Sequence, residues 1–248
     1  MPSLDPHATY WSQRYDWSSR GEEWSATWGG SEAQWFGAIY PRLHRFLPAH
    51  AIVEIGPGYG RWTKFLLPLC AHYTGVDISE KCIDACTLSF STATHAAFIL
   101  NDGVSLDSVP DGSIDLVFSF DSLVHAELQV LAGYTSHILS KLTATGVAFL
   151  HHSNAASVGE LGWEHGRGLS VSNENVAELV SQSGGKILIQ EIINWGGGAM
   201  LDCLTLFCQE RAYAEFASIK LNNPHFMDEA ALISQYQSYY SKLGRLND

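Results

Sequence analysis

The chain reads as an α/β protein built on a seven-stranded, mostly parallel sheet whose last strand is antiparallel. Three observations predict this. Apolar segments of strand length alternate with helical segments from about residue 50 to 209, the pattern of βαβ units. A glycine-rich turn joins the first of these strands to the helix after it. The final two strands are separated only by GGGA, too short for a helical crossover, so they form a hairpin.

Taken in order, residues 1–48 form an aromatic-rich cap. Trp11, Tyr15, Trp17, Trp24, Trp28, Trp35 and Phe36 recur there, several at spacings of three or four, which predicts short amphipathic helices acting as a helical lid. Residues 49–209 form the core, with strands predicted at 51–56, 72–78, 96–101, 114–120, 146–152, 186–195 and 200–209. Helices are predicted at 61–71, 79–90, 126–142 and 173–183. Residues 210–248 read as a helical tail, interrupted near Pro224 and restarted with Asp228 as its cap.

With 248 residues, 46% hydrophobic and 12% aromatic, the chain has ample material for a core. Its net charge of −12 argues against polyanionic partners, because nucleic acids and anionic membranes are held mainly by Lys and Arg. The expectation is therefore no nucleic acid and no membrane. No apolar run reaches spanning length, and the first twenty residues lack the apolar centre of a signal peptide, so the expected location is cytoplasmic. Five cysteines without CxxC spacing read as reduced core thiols. Cys82 and Cys86, four apart, are the only ones spaced to share a metal on a helix.

Chemistry concentrates in VEIGPGYGRWT, residues 53–63. Gly56, Gly58 and Gly60 let the backbone approach a ligand closely, and Glu54 precedes them on the strand. The spacing is G-x-G-x-G, whereas dinucleotide-binding turns use G-x-G-x-x-G. About twenty residues on, GVDIS ends the next strand with Asp77, where a carboxylate suits ribose hydroxyls. At these residues the sequence resembles the class I S-adenosylmethionine-dependent methyltransferases, over roughly residues 50–209 and including the terminal hairpin. The resemblance implies a Rossmann-like core with S-adenosyl-L-methionine as cofactor. It places Glu54 and Gly56 by the methionine part, with Gly58 and Gly60 in the same loop. Asp77 would bind ribose and Asp102 the adenine amino group, with Ile78, Gly103 and Phe120 completing the set.

The fourth strand ends FSFDSLVHAE, without the Asn/Asp-Pro-Pro-aromatic or Pro-Cys elements of nucleobase methyltransferases. Ligands of open α/β sheets lie beyond the carboxyl ends of the strands. Asp121, Ser122 and His125 follow strand four there, His151, His152, Ser153 and Asn154 follow strand five, and Asn194 and Trp195 follow strand six, beside Gly196 to Gly198. A histidine can take the proton of an acceptor hydroxyl. The candidate bases are His125, His152 and His151, with Asp121 to orient one of them or bind the acceptor. Period-two alternation points His151 and His152 to opposite faces, so one of the two at most meets the substrate. Asp121, His152 and Asp202 are the candidates for a divalent metal, possible but not favoured, since their spacing is not diagnostic.

FSFDSLVHAE, FLHHSN and EIINWGGGAMLDCLTLF also resemble, more weakly, the sugar O-methyltransferases of bacterial polysaccharide and glycoside biosynthesis. This implies O-methylation of a saccharide hydroxyl, with a small molecule or oligosaccharide as substrate. The stretch 155–172, with Trp163, His165 and Arg167, would close over it. Another small metabolite such as a phenol, carboxylate or amine is the alternative acceptor. An inactive cofactor-binding module and a nicotinamide oxidoreductase are the alternatives from other classes. The aromatic-rich ends are compatible with a homodimer.

Overall fold

The computed structural model describes residue 10 and residues 14–159, 166–196 and 198–242. Its strands are β1 (Ala49–Ile55), β2 (Cys70–Asp77), β3 (Ala96–Leu100), β4 (Ile114–Ser119), β5 (Leu142–Ser153), β6 (Gly185–Ile193), β7 (Asp202–Gln209) and β8 (Ile219–Asn223). They form one sheet in the order β3-β2-β1-β4-β5-β7-β6-β8. The first five are mutually parallel, and β7 lies antiparallel between β5 and β6. Because β1 lies between β2 and β4, consecutive connections leave for opposite faces at this point and open a crevice at the carboxyl ends.

All seven expected strands are present, and the four expected helices begin or end within a few residues of their predicted limits. Ser79 caps Glu80–Ser89 by accepting from the Cys82 N–H. Ser172 and Asn175 form a reciprocal capping box on Asn173–Gln182. The first predicted helix, 61–71, is shorter: Thr63–Leu66 is α-helical, and Leu67–Leu69 tightens into a 3-10 turn at Pro68 before β2.

The tail differs more. It opens with an eighth strand, β8, pairing in parallel with β6 from Ile189↔Ile219 to Ile193↔Asn223. Its five residues, IKLNN, are mostly exposed, and their apolar-polar alternation from Ile219 to Asn222 is a strand signal that the helical reading of the tail did not take up. They pair because the outer edge of β6 offers unmet N–H and C=O groups. The helix that follows starts at Phe226 with His225 as its N-cap, so Asp228 sits in the first turn instead of capping it.

The sheet separates two apolar layers. Val147 and Phe149 of β5 face Trp28, Trp35, Trp62, Phe118 and Phe226, contributed largely by the two ends of the chain. Ala148 and Leu150 face Leu131, Ile138, Val171, Val176 and Val180, beneath the helices Leu128–Lys141 and Asn173–Gln182. The N-terminal segment is helical as expected but irregular: a 3-10 helix Glu22–Trp28, α-helical Ser31–Gln34, a π turn Trp35–Ile39 and α-helical Tyr40–Leu43. Its Arg42 clamps the ends together, donating to both oxygens of Glu191 on β6 at 2.7 Å and to Glu229 in the tail at 3.0 Å. Trp28 and Trp35 are core residues, whereas Trp24 and Phe36 are exposed. Trp11, Trp163, His165 and Gly197 lie outside the described residues. Among the described residues no helix is long and apolar enough to cross a membrane.

Candidate active site

The glycine turn follows β1 at the switch point. Gly56, Gly58 and Gly60 all hold positive φ, at 72°, 56° and 86°. The turn is also crowded: a Cβ on Gly56 would stand 1.9 Å from Ser122 Oγ after β4, and one on Gly58 would stand 2.8 Å from the Trp17 ring. Side chains are excluded here by both conformation and space. Trp17 stacks flat on Tyr59 at 4.9 Å, so the N-terminal segment covers the turn. The Cys86 thiol donates to Gly58 O from below, and Cys82 is likewise buried, which fits core thiols.

Two carboxylates lie beside the turn. Glu54 is buried and accepts from the hydroxyls of Thr63, at 2.7 Å, and Tyr73 through Oε2. Its Oε1 is buried without a partner. Burial outweighs those hydrogen bonds and pushes its carboxyl from 4.5 up to about 7. Asp77 closes β2, accepting from Gly58 N at 3.1 Å and Ser79 N at 2.9 Å, and burial raises it from 3.8 to about 6. Beyond β3, Gly103 packs against Ile78, where a Cβ would stand 2.9 Å from its methyl group. Asp102 is exposed and ties its own loop by accepting from Val104 N and Ser105 N.

A second constellation occupies the carboxyl ends of β4 and β5 and the start of β7. Asp121 holds φ 60°, a strained conformation for a residue with a side chain. It pairs with Arg61 at 2.7 Å and with His151 Nδ1 at 3.2 Å. The other ring nitrogen of His151, Nε2, lies 3.1 Å from Asp202 Oδ2, and Arg167 grips both oxygens of Asp202 at 2.7 Å. The result is a buried chain of alternating charge, Arg61, Asp121, His151, Asp202, Arg167.

The charges set each other. Burial opposes the ionised forms of Asp121, His151 and Asp202, yet Arg61 and then His151 hold Asp121 below the ordinary carboxylate value. His151 and Arg167 bring Asp202 down to about 2. The two aspartates in turn raise His151 above 6.5 against its burial. His151 Nδ1 has two neighbours on Asp121, the Oδ1 acceptor at 3.2 Å and the backbone N–H donor at 3.3 Å. Either protonation state of that nitrogen therefore finds a partner. Phe120 lies against His151 at 4.6 Å between ring centroids and Trp195 at 4.9 Å, with Trp62 beyond Phe120 at 5.6 Å and Trp28 beyond Trp195 at 4.9 Å.

The remaining candidates separate from this chain. His152 points to the opposite face of the sheet, fully buried, its Nδ1 on Ser153 O and its Nε2 on Thr205 Oγ1, both at 2.7 Å. It cannot reach an acceptor at the strand ends, and it is not brought together with Asp121 and Asp202. Among the described residues no group of three His, Cys, Asp or Glu side chains is placed to hold a metal. His125 contacts Gly166 O through Nδ1 and, with the Gly168 N–H donating to Val124 O, anchors the loop that carries Arg167. Asn154 holds Met200 O and Asn173 N, and Asn194 accepts from Met227 N, so both serve the scaffold. Arg61, and the role of Asp202 as a partner of His151, were not anticipated. Asp202 was within reach of sequence reasoning, because a GGGA hairpin brings the start of β7 beside the end of β5.

Residues 52–146 match the family model of a methyltransferase domain. The fold of the chain is similar to that of an S-adenosylmethionine-dependent methyltransferase from Clostridium acetobutylicum, with TM-score 0.58 and 14% identity over 79% of this chain and 96% of that one. It is also similar to a Leishmania major S-adenosylmethionine-dependent methyltransferase, with TM-score 0.60 and 15% identity over 81% of this chain and 80% of that one. A third likeness is to an S-adenosylmethionine-dependent methyltransferase from Mesorhizobium loti, with TM-score 0.54 and 17% identity over 71% and 97% of the two chains. No curated protein matches the chain in sequence. Its own residues fit such a methyl donor. The unpartnered Glu54 Oε1 suits an ammonium group, the crowded glycine turn admits a ligand only along bare backbone, and Asp77 supplies a carboxylate for hydroxyls.

Proposed function

We propose that this methyltransferase passes a methyl group from S-adenosyl-L-methionine to a hydroxyl of a saccharide or glycoside, with His151 as the general base. The observation that carries this reading is the placement of His151 between Asp121 and Asp202 at the strand ends, with Ser122, next to Asp121, against Gly56 of the glycine loop. Glu54, Gly56, Gly58 and Gly60 would hold the amino-acid part of the donor, Asp77 its ribose, and Ile78, Asp102 and Gly103 its base. When bound, the donor supplies a methyl group activated on a sulfonium, which leaves as a neutral thioether.

A hydroxyl is a weak nucleophile until its proton is taken. The two nitrogens of His151 divide the work. Nε2 is fixed on Asp202, which Arg167 immobilises, so this side orients the ring. Nδ1 faces Asp121, whose neighbour Ser122 touches the glycine turn, so this side adjoins the cofactor crevice. An acceptor hydroxyl beside Nδ1 gives up its proton to that nitrogen as the new oxygen–carbon bond forms. The aspartates stabilise the imidazolium that results. Phe120, Trp195 and Trp62 form an apolar wall that excludes water and suits the C–H face of a sugar ring.

The test is methyl transfer from labelled S-adenosylmethionine to a panel of methyl glycosides, oligosaccharides, phenols, carboxylates and amines. Label appearing as an alkali-stable ether on a glycoside supports the reading. Transfer confined to the other classes overturns the saccharide assignment.

A further inference from the structure

His151 stands between two carboxylates, and such a setting by itself holds the ring proton firmly. A general base must also let its proton go, because a ring that stays protonated has no lone pair to offer. Each carboxylate, however, is shared with an arginine. Asp121 presents Oδ1 to His151 Nδ1 and Oδ2 to Arg61, while Asp202 presents Oδ2 to His151 Nε2 and accepts from Arg167 through both oxygens. Among the described residues the other titratable neighbour of the ring is His152, which burial pushes down to about 4 and keeps neutral. The balance is therefore set by two arginines, two aspartates and the ring. The arginines and aspartates cancel, so the chain of groups loses its one net positive charge when the ring gives up its proton. Without Arg61 the same step would leave a net negative charge in a buried place, and the proton would be held harder.

The mount of Arg61 is as specific as its charge. It directly follows Gly60, the last glycine of the turn, so it belongs to the donor side of the crevice while bonding the base side. Its guanidinium lies 4.5 Å over the Trp62 ring, Nη1 donates to Ser25 Oγ at 3.2 Å, and Nη2 donates to Asp121 Oδ2 at 2.7 Å. The N-terminal helix Glu22–Trp28, the glycine turn and the end of β4 thus fix one planar group. That group in turn secures Asp121, whose φ of 60° persists only where its surroundings hold it. The side chains of Arg61 and Asp121 are each 9% exposed, so water screens the pair little.

We infer that Arg61 is a positioning residue for His151: it holds one oxygen of Asp121 so that the other meets the ring, and its charge keeps the ring from binding its proton too firmly to act as a base. This rests on the reading of His151 as the base.

The test is a pH titration of the His151 ring by NMR in protein labelled with 15N-histidine, without donor or acceptor, its signals identified by their loss in His151→Gln. Arg61→Gln should raise the ring titration by about one pH unit, and Asp121→Asn should lower it by a similar amount. The double variant removes the ion pair whole and should titrate near the wild type. Residue 61 is thereby read twice, against the wild type and against Asp121→Asn, so one background suffices if the other does not fold. Arg61→Lys keeps the charge but lacks the planar fork that spans Ser25 and Asp121, and its titration should stay within about 0.3 pH unit of wild type. A ring titration that is unmoved, or falls, when Gln replaces Arg61 in a folded background overturns the inference. So does an Arg61→Lys titration displaced as far as that of Arg61→Gln, which assigns the guanidinium to packing alone. With an acceptor that the wild type methylates, the rising limb of kcat should move with the ring. If the ring titration moves and the limb does not, the hold of Arg61 on His151 stands and His151 falls as the base.

Discussion

At the ends of β1 and β2, Glu54 is buried and Asp77 partly buried, both hydrogen-bonded to hydroxyl or backbone N–H donors, and burial pushes their carboxyls up to about 7 and about 6, Glu54 against the pull of Arg61. At the ends of β4 and β7, Asp121 and Asp202 are as deeply buried but face Arg61, Arg167 and His151, and both are held below the ordinary value. The contrast separates two kinds of site. Among the described residues neither carboxylate of the first pair forms an ion pair, which suits a ligand that brings its own positive charge. The second pair carries its own cations and is assembled in advance, storing its effect as raised basicity in the histidine between them.

The largest effect should follow from removing that histidine. His151→Ala should lower kcat about 1,000-fold while the S-adenosylhomocysteine Kd changes less than twofold, because the proposed base belongs to the preassembled half alone. A single-turnover assay with saturating donor reads this directly, and turnover within threefold of wild type would exclude His151 as base.

The other half should respond in binding and stability. Glu54 has a native value of about 7 against an ordinary 4.5, so the folded protein holds a proton there that the unfolded chain releases between those values. Its stabilising contribution is present below pH 4.5 and is lost as pH rises through 7, a difference of about 3 kcal/mol. Glu54→Gln removes this penalty. Tm should rise by about 5 °C at pH 8, with no gain at pH 4, while donor affinity falls about 100-fold for want of a carboxylate. Thermal scans and calorimetric titration at the two pH values check both signs. A fall in Tm at pH 8 would break the comparison, since it would show Glu54 to be as well paired as Asp202.

Much of this division is visible in the amino-acid order. The alternating strands, the GGGA hairpin and the G-x-G-x-G turn place Glu54, Asp77 and the strand-five histidines at one edge, because period and turn chemistry are local. Alternation also separates His151 from His152, but it does not say which faces the cleft. That depends on which layer covers each face of the sheet, and the layers are made by the two chain ends packing together around Phe226 and Trp28. Asp202 lies 51 residues from His151, and Arg167 grips Asp202 from across the fold, so these contacts arise only when β7 and the 166–168 loop close on β5. β8 is a different case: the alternation in SIKLN is a local strand signal, while its place beside β6 depends on the edge it joins.

A smaller effect tests whether basicity is set by the aspartates. With His151 raised above 6.5, the neutral form that accepts a proton accumulates as pH rises, so kcat should climb on the alkaline side of 6.5. Asp202→Asn removes one of the two carboxylates. The rising limb should then move to lower pH, and the plateau should drop about 30-fold as the ring loses its anchor. A limb that stays in place would assign the titration to another group.

His152 supplies the smallest effect and the sharpest control. Burial pushes it down to about 4, so it is neutral throughout the working range. Its contacts then fix its tautomer: Nδ1–H donates to Ser153 O, and Nε2 accepts from the Thr205 hydroxyl. Gln190 also donates to that hydroxyl, at 3.3 Å, and to Asn173 O, joining β5, β7, β6 and the helix Asn173–Gln182. His152 therefore acts in the fold and not in proton transfer. His152→Gln should leave kcat within twofold while lowering Tm by a few degrees, the loss of about one buried hydrogen bond. A tenfold loss of turnover in a variant that keeps its Tm would overturn the assignment of the two adjacent histidines to different faces and different work.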